Sequence, residues 1–371
     1  MILIKNAVLH DGLGGVFPKH DILIEDGKIL RTGTGLTVPS ATVIDAGGAH
    51  LTPGFIDPTN ATGALDITYS VRDTDEVSKP LTPEADAKYA FNANEMAMEK
   101  LYTVGLTAVG CCPGTANVVG GQIAVFKTWG NNSRKMLVRS HAGIRASVTA
   151  KVKDTFGSRK VCPMTHMGIF SLLEQFIAGR LEGDEARELA RQLREEHLPL
   201  FVQAETHAEI AAVLHLAQRY NLRVVLCGAY DAHLCLEEIA AAGAAVVLGD
   251  QIYLTAALYH GTDLAALAKS LSGKGLLSFS TAAAYGPQGR VHYLWDAARF
   301  CQAGVPAETL LSMMTIVPAR LLGVEARLGS IETGKDADLT LFSQHPLERF
   351  DAQVLWTMVN GEIVYTKEGY R

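Results

Sequence analysis

The chain has 371 residues, 48% of them apolar and 19% charged, with a formal net charge of −6. That length carries one large domain and a small one with ample core, and the acidic balance excludes the basic stripes that nucleic acid or an anionic membrane surface selects. No apolar run is long enough to span a bilayer and a strand pattern begins at Met1-Ile2-Leu3-Ile4, so neither a signal peptide nor a membrane-spanning helix is expected. The six cysteines (Cys111, Cys112, Cys162, Cys227, Cys235, Cys301) form no C-x-x-C pair, which predicts a reduced, cytoplasmic protein.

In chain order, residues 2–4, 21–25 and 42–45 are short β-type runs, with turn glycines at Gly27, Gly47 and Gly48. An apolar strand over 54–57 opens an alternating middle. Residues 68–97 are the least regular, a long loop with a helix from Glu84 onward. Further strands are predicted over 106–111, 137–140, 200–203, 224–227, 245–248 and 276–280, while 122–126 reads as an eighth strand or a hairpin arm. Between them the spacing predicts helices over 185–196, capped by Asp184, over 208–219 and over 234–242. Such alternation predicts parallel strands under covering helices, and by itself fits a closed barrel and an open sheet equally. The last stretch returns to strands over 340–342, 354–359 and 362–365, the final two joined by Asn360-Gly361, a hairpin signal. Two strand-rich ends predict one small β-sandwich built from both termini, residues 1–52 with 329–371.

Pro53-Gly54-Phe55-Ile56-Asp57-Pro58-Thr59-Asn60-Ala61 resembles the barrel-opening strand of metal-dependent amidohydrolases, which reads Pro-Gly-Phe-Ile-Asp-x-His-x-His. Gly329-Ser330-Ile331-Glu332-Thr333-Gly334-Lys335-Asp336-Ala337-Asp338-Leu339 resembles their C-terminal hallmark. The resemblance runs along nearly the whole chain, toward dihydroorotase, imidazolonepropionase and N-acetylglucosamine-6-phosphate deacetylase. It implies an α/β fold, a (β/α)8 TIM-like barrel over 53–328 with the small β-sandwich attached, and so selects the barrel over the open sheet.

The same resemblance locates the metal-ligand positions, and they are changed. Thr59 and Ala61 stand where the family has its first two histidines. Gln203-Ala204-Glu205 stands at a second His-x-His, Cys227-Gly228 at a His-Gly, Ser280 at the family's Asp, and Ala150 where a bridging Glu can occur. The family's metal acidifies a bound water and polarises the scissile carbon, using three protein donors or more. Glu205 and Cys227 are the remaining donor types, too few for tight binding, so no cofactor is expected; the alternative is zinc or another divalent metal at an atypical site.

Other pocket candidates are Asp57, Cys111, His141, His207 and His233. His141, Glu205, Cys227 and His233 together form the one set from which a zinc or copper site might be rebuilt, though scattered histidines are more often structural. Lys151 and Lys153 follow a strand where some amidohydrolases carry a carboxylated lysine; solvated lysines are the plainer reading. Cys111-Cys112-Pro113-Gly114-Thr115-Ala116-Asn117-Val118-Val119-Gly120-Gly121-Gln122 matches neither a P-loop nor a dinucleotide fingerprint. It resembles a loop of an uncharacterised hydrolase branch, either a substrate loop or a tight turn needing small residues. Ser278, Ser280 and Thr281 lack the G-x-S-x-G elbow of a serine hydrolase.

Three functions follow from the resemblance. The first is a catalytically degenerate amidohydrolase acting as a scaffold or partner subunit, in a homo-oligomer or with an active homologue. The second is an active hydrolase of cyclic amides or other C–N bonds with an atypical metal site or none. The third is a small-molecule binding module using the former active-site pocket. No nucleic-acid or membrane partner is expected.

Overall fold

The computed structural model describes residues 1–64, 73–249, 261–281 and 293–370. The N-terminal segment forms β1 (Ile2–His10), β2 (Val16–Glu25), β3 (Lys28–Gly33), β4 (Thr42–Asp45) and β5 (His50–Pro53). The middle forms β6 (Phe55–Asn60), β7 (Leu106–Cys111), β8 (Val119–Lys127), β9 (Leu137–Ser147), β10 (Leu200–Ala204), β11 (Val224–Gly228), β12 (Ala245–Gly249) and β13 (Leu277–Ser280). The C-terminal segment forms β14 (Leu339–Phe342), β15 (Val354–Val359) and β16 (Glu362–Thr366).

Strands from both ends of the chain share one sheet, in the order β16-β15-β14-β5-β1-β2-β3, with β4 paired to β1. The β15–β16 turn has Asn360 and Gly361 at positive φ, as a two-residue hairpin requires. One face of this sheet buries Ile4, Leu9, Ile22, Ile24, Leu341 and Trp356. A buried ion cluster joins the sheet to the middle segment. Lys127, at the end of β8, meets Asp336 at 2.9 Å and also pairs with Asp338, while Asp336 is held by Lys28 and, at 2.8 Å, by Arg327.

The second sheet has eight strands in the order β13-β12-β11-β10-β9-β8-β7-β6. Its two outermost strands meet: Ser280 Oγ on β13 lies 2.5 Å from Asp57 Oδ1 and 2.6 Å from the Thr59 carbonyl oxygen on β6. The sheet therefore curls until it nearly closes. All-parallel pairing, however, is not what forms. β8 runs antiparallel to both β7 and β9, and the remaining pairs are parallel. Residues 122–126 are thus both a barrel strand and a hairpin arm. The helix expected from Glu84 onward is reduced to two single turns, Ala87–Ala90 and Glu99–Tyr102.

Alternation along the strands separates two apolar layers. Ile144, Ala146, Val202, Leu226, Val246 and Leu277 point outward into the large core beneath the helices. Ile56, Phe201, Val225, Cys227 and Val247 point into the barrel lumen, where the helix Ile316–Leu322 packs on them. That helix closes the end where the parallel strands begin: Arg139 near the start of β9 donates to the Gly323 carbonyl, and Arg223 just before β11 donates to the Arg320 carbonyl at 2.7 Å. The opposite end, where the parallel strands finish, is the barrel mouth.

Candidate functional site

Asp57 is the most heavily hydrogen-bonded side chain at the mouth. Its Oδ1 accepts from the Thr59 amide at 3.3 Å and faces the Ser280 hydroxyl; its Oδ2 accepts from Asn60 Nδ2 at 2.7 Å, from the Thr281 amide at 3.0 Å and from the Thr281 hydroxyl. Asn60 in turn donates to Thr281 Oγ1 at 2.9 Å and accepts from the Thr62 amide at 2.6 Å. Hydroxyls and amides thus satisfy a buried carboxylate that would otherwise be costly. Thr59 and Ser280, two of the changed ligand positions, belong to this network and are buried, while Ala61 lies just beyond β6.

Across the lumen, Gln203 and Cys227 are register partners on β10 and β11. Gly228 follows Cys227 at φ +76°, and a Cβ there would sit 2.3 Å from Gln203 Nε2. Glycine is therefore required both by the backbone conformation and by the glutamine beside it. Glu205 lies just past β10, half-buried, with its amide donating to Glu209 Oε2 at 2.8 Å. Glu209 is fixed by the capping box that starts the helix His207–Tyr220.

Arg145 on β9 is the member of this site that the sequence reading missed. Its neighbours Ile144 and Ala146 face the outer core, so Arg145 faces the lumen. It is 3% exposed, donates from Nη2 to Gln203 Oε1 at 2.8 Å, and lies beside Cys227 and Cys112. Its Nε and Nη1 have no hydrogen-bond partner. Burial pushes the Cys112 thiol up to about 12 and raises Cys227 as well, so both are neutral near pH 7. The signal was present, an arginine in the middle of Ala142-Gly143-Ile144-Arg145-Ala146, but it lay beyond the predicted end of the strand.

Several candidates lie elsewhere. Cys111 faces the outer core, and Cys112 is the lumen-facing cysteine of the pair. β9 runs to Ser147, so its mouth end is six residues beyond His141. His141 is exposed and bonds to Gln122 across the β8–β9 pair instead of lining the mouth. His207 is exposed at the first turn of its helix, where its amide donates to Asp231. His233 sits in the short turn Ala232–Leu234. Ala150, Lys151 and Lys153 belong to the helix Ala150–Gly157, not to a strand end. The glycine-rich loop spends its amides on protein. Gly114 donates to Thr74 O at 2.7 Å, Ala116 to Asp75 Oδ1 at 3.0 Å and Val118 to Pro80 O at 3.0 Å. The Asn117 side chain binds the Glu76 and Lys79 carbonyls at 2.7 and 2.9 Å. It clasps the long loop after β6, which accounts for its small residues without a substrate.

Comparison with known proteins now bears on this geometry. Residues 188–364 match the model of the amidohydrolase family. A crystal structure of an amidohydrolase from Thermotoga maritima MSB8 is similar at a TM-score of 0.90 and 27% identity, covering 99% of this chain and 100% of that one. The family model, the relatives and the similar structures together support membership of the amidohydrolase superfamily. Amidohydrolase tasK of Hapsidospora irregularis is 25% identical over 91% of this chain, which spans only 39% of that protein's length. A dihydroorotase of Geobacter sp. (strain M21) is 46% identical over 57 residues, 15% of this chain and 13% of that enzyme. Phenylurea hydrolase B, at a TM-score of 0.61 and 16% identity, shares the fold. The superfamily and the near-closed sheet together make the eight-stranded unit a TIM-like barrel carrying one reversed strand.

Members of the superfamily usually bind metal. Among the described residues, those at the mouth do not fit one. Thr59, Ala61, Gln203 and Ser280 bring no imidazole, thiolate or carboxylate, and the lone pairs of Asp57 are already engaged. Among the described residues, donor types do gather elsewhere, where the two sheets meet: His10, Glu308 and His345, with His50 alongside. His345 Nδ1 accepts from the Leu347 and Glu348 amides, both at 3.2 Å, which leaves its proton on Nε2, pointing at Glu308 Oε1 at 3.2 Å. His10 Nδ1 donates to the same oxygen at 2.8 Å, and its Nε2 lies 2.9 Å from His50 Nδ1. By donor type these residues could hold a metal ion, and the bonds above join them around one carboxylate. Burial, then the neighbouring His10 and His345, hold His50 down at about 4; Glu308 is held at about 2 because the bonds from His10 and His345 outweigh its burial.

Among the described residues no helix is long and apolar enough to cross a membrane.

Proposed function

We propose that this superfamily member has given up metal-dependent hydrolysis at the barrel mouth and acts as a partner or scaffold subunit whose mouth still binds a small molecule. The observation that carries this reading is the enclosure of Asp57 by Ser280, Thr281 and Asn60. A hydroxyl network joins β6 to β13 and engages the Asp57 oxygens that would otherwise be available to a metal. Loss of donors at Thr59, Ala61, Gln203 and Ser280 together supports the same conclusion. The small-molecule part is favoured by Arg145, whose charge is buried at the mouth. The composite domain of residues 1–52 and 329–371, the barrel over 53–328, a cytoplasmic setting and an oligomer, with itself or with an active homologue, complete the proposal.

The test is elemental analysis of protein purified from medium supplemented with zinc, manganese, nickel and iron, alongside assays for opening of cyclic amides such as dihydroorotate. Substoichiometric metal and no turnover are expected. One tightly held ion per chain with metal-dependent turnover would overturn the proposal and favour an active hydrolase.

A further inference from the structure

We infer that Arg145 is the anchor of a carboxylate-binding subsite inside the barrel mouth, and that the small molecule bound there is a monoanion. The inference rests on the reading of the mouth as a binding site, but not on the absence of metal. Arg145 is buried at 3% exposure, it projects into the lumen, and two of its three guanidinium nitrogens have no partner. Its hydrogen bonds go to neutral groups, the Gln203 amide at 2.8 Å and the Cys227 thiol. A guanidinium cannot shed its proton, so a buried one requires an anion or bears a large desolvation cost.

Among the described residues no protein group is bonded to Arg145 as that anion. Cys112 and Cys227 are neutral thiols, as described above. Asp75, the acid that acts on Arg145, spends its oxygens on the Ala116 amide and the Thr74 hydroxyl, each at 3.0 Å. The guanidinium lies beside Gln203, which is half-buried and near the end of β10. Gly228 keeps that side clear, since any Cβ there would displace the Gln203 amide.

The charge of the ligand follows from the same surroundings. One guanidinium offsets one negative charge. Asp57 and Asp75 both act on Cys112, so the field around it already contains two carboxylates. A dianionic phosphate would leave its second charge unpaired near them. A carboxylate matches the fork of donors and adds one charge only. The Gln203 amide, whose Nε2 lies beside Gly228, fits an acceptor such as the carbonyl of an amide next to that carboxylate.

N-Acetylglycine is a suitable probe, with its uncharged analogue N-acetylglycinamide and inorganic phosphate as controls, all on chelator-treated full-length protein. Thermal shift and calorimetric titration should show saturable binding of N-acetylglycine and none of the amide. Arg145→Gln should weaken that binding by about tenfold or more, equivalent to about 1.4 kcal/mol. Gln203→Glu provides a second variant that does not remove the charge. The new carboxylate should pair with Arg145, raise the melting temperature and abolish N-acetylglycine binding. The inference is overturned if N-acetylglycine, acetate and formate all fail to bind the parent, or if the amide or phosphate binds as well as N-acetylglycine. Unchanged N-acetylglycine binding in Arg145→Gln or Gln203→Glu also overturns it. A resident metal found by elemental analysis would sink the metal-free proposal and leave this result standing, because the titration is done after chelation.

Discussion

Ser280→Asp introduces the residue type that the family resemblance expects at that strand end, and the structure makes its effect calculable. Ser280 Oγ is 2.5 Å from Asp57 Oδ1, so a carboxylate in its place brings a second negative charge to about 4 Å from the first. At an effective dielectric constant of about 20, that repulsion is about 4 kcal/mol. The lost hydroxyl bond to an ionised acceptor adds about 1.5–3 kcal/mol. Together they approach the whole stability of an ordinary domain, about 5–15 kcal/mol. Ser280→Ala isolates the hydrogen-bond part and should lose only about 1.5–3 kcal/mol. In Ser280→Asp the two carboxyls share a proton, so one folded-state pKa is raised. Such a group costs stability above its raised pKa and recovers it as the pH falls. Calorimetric melting between acid and neutral pH should therefore show Ser280→Asp gaining on the parent as the pH is lowered. Adding Thr59→His and Ala61→His should make zinc stabilise the triple variant, because a cation then sits between the carboxylates. A Ser280→Asp protein within about 1 kcal/mol of the parent at neutral pH, with no relative gain in acid, would refute the placement of Ser280 against Asp57.

Lys127→Met removes the central cation from Asp336 and Asp338, both buried, and should cost about 3–5 kcal/mol by urea unfolding, as for other broken buried pairs; a loss near zero would mean that Lys28 and Arg327 suffice. Burial pushes the Asp336 carboxyl up, but Lys127, Lys28 and Arg327 outweigh it and hold the group down at about 2. Its contribution should accordingly be complete above pH 4 or so, the ordinary carboxylate range, and be lost as the pH falls through about 2, with Asp336→Asn showing a shallower acid limb in a pH series of melting temperatures. Gly228→Ala must accept both φ +76° and a Cβ 2.3 Å from Gln203 Nε2, so it should destabilise by about 1–3 kcal/mol in thermal melts, and Gln203→Ala in the same chain should recover part of that loss.

What was legible in the sequence was local. Apolar alternation marked most barrel strands, and Asn360-Gly361 marked the β15–β16 hairpin because only a few residue types accept positive φ at both positions. The superfamily motif fixed the barrel where periodicity alone could not. The reversal of β8 was half-visible, since 122–126 carried strand character without direction. The extent of β9 was hidden because Arg139, Ser140 and His141 interrupt its apolar pattern while the backbone pairing continues to Ser147. That error moved His141 to the mouth and left Arg145 out. Groups assembled from distant segments carried no sequence signal: His10 and Glu308 are 298 residues apart in the chain and 2.8 Å apart in space. Cys112 rather than Cys111 shares the lumen face with Ala108, by alternation along the strand, but the sequence pattern did not say which face was the lumen.

The changes at the mouth become coherent when charge is followed instead of residue identity. A metal centre gathers carboxylates and imidazoles because a divalent cation compensates them. Without the cation, every ionised ligand left behind needs a proton donor or must be replaced by a neutral group. Thr59, Ala61, Gln203, Cys227 and Ser280 are neutral near pH 7; of the carboxylates that persist, Glu205 lies half-buried just past β10 and Asp57, in the wall, is served by five donors. Arg145 is the group that this neutralisation does not explain, since a guanidinium facing the same lumen with two free nitrogens adds charge where charge has otherwise been removed. On the proposed reading, a mouth that has given up a metal cation and carries a guanidinium of its own has reversed its preference. It would select an anion, and the ligand rather than the protein would complete the charge balance.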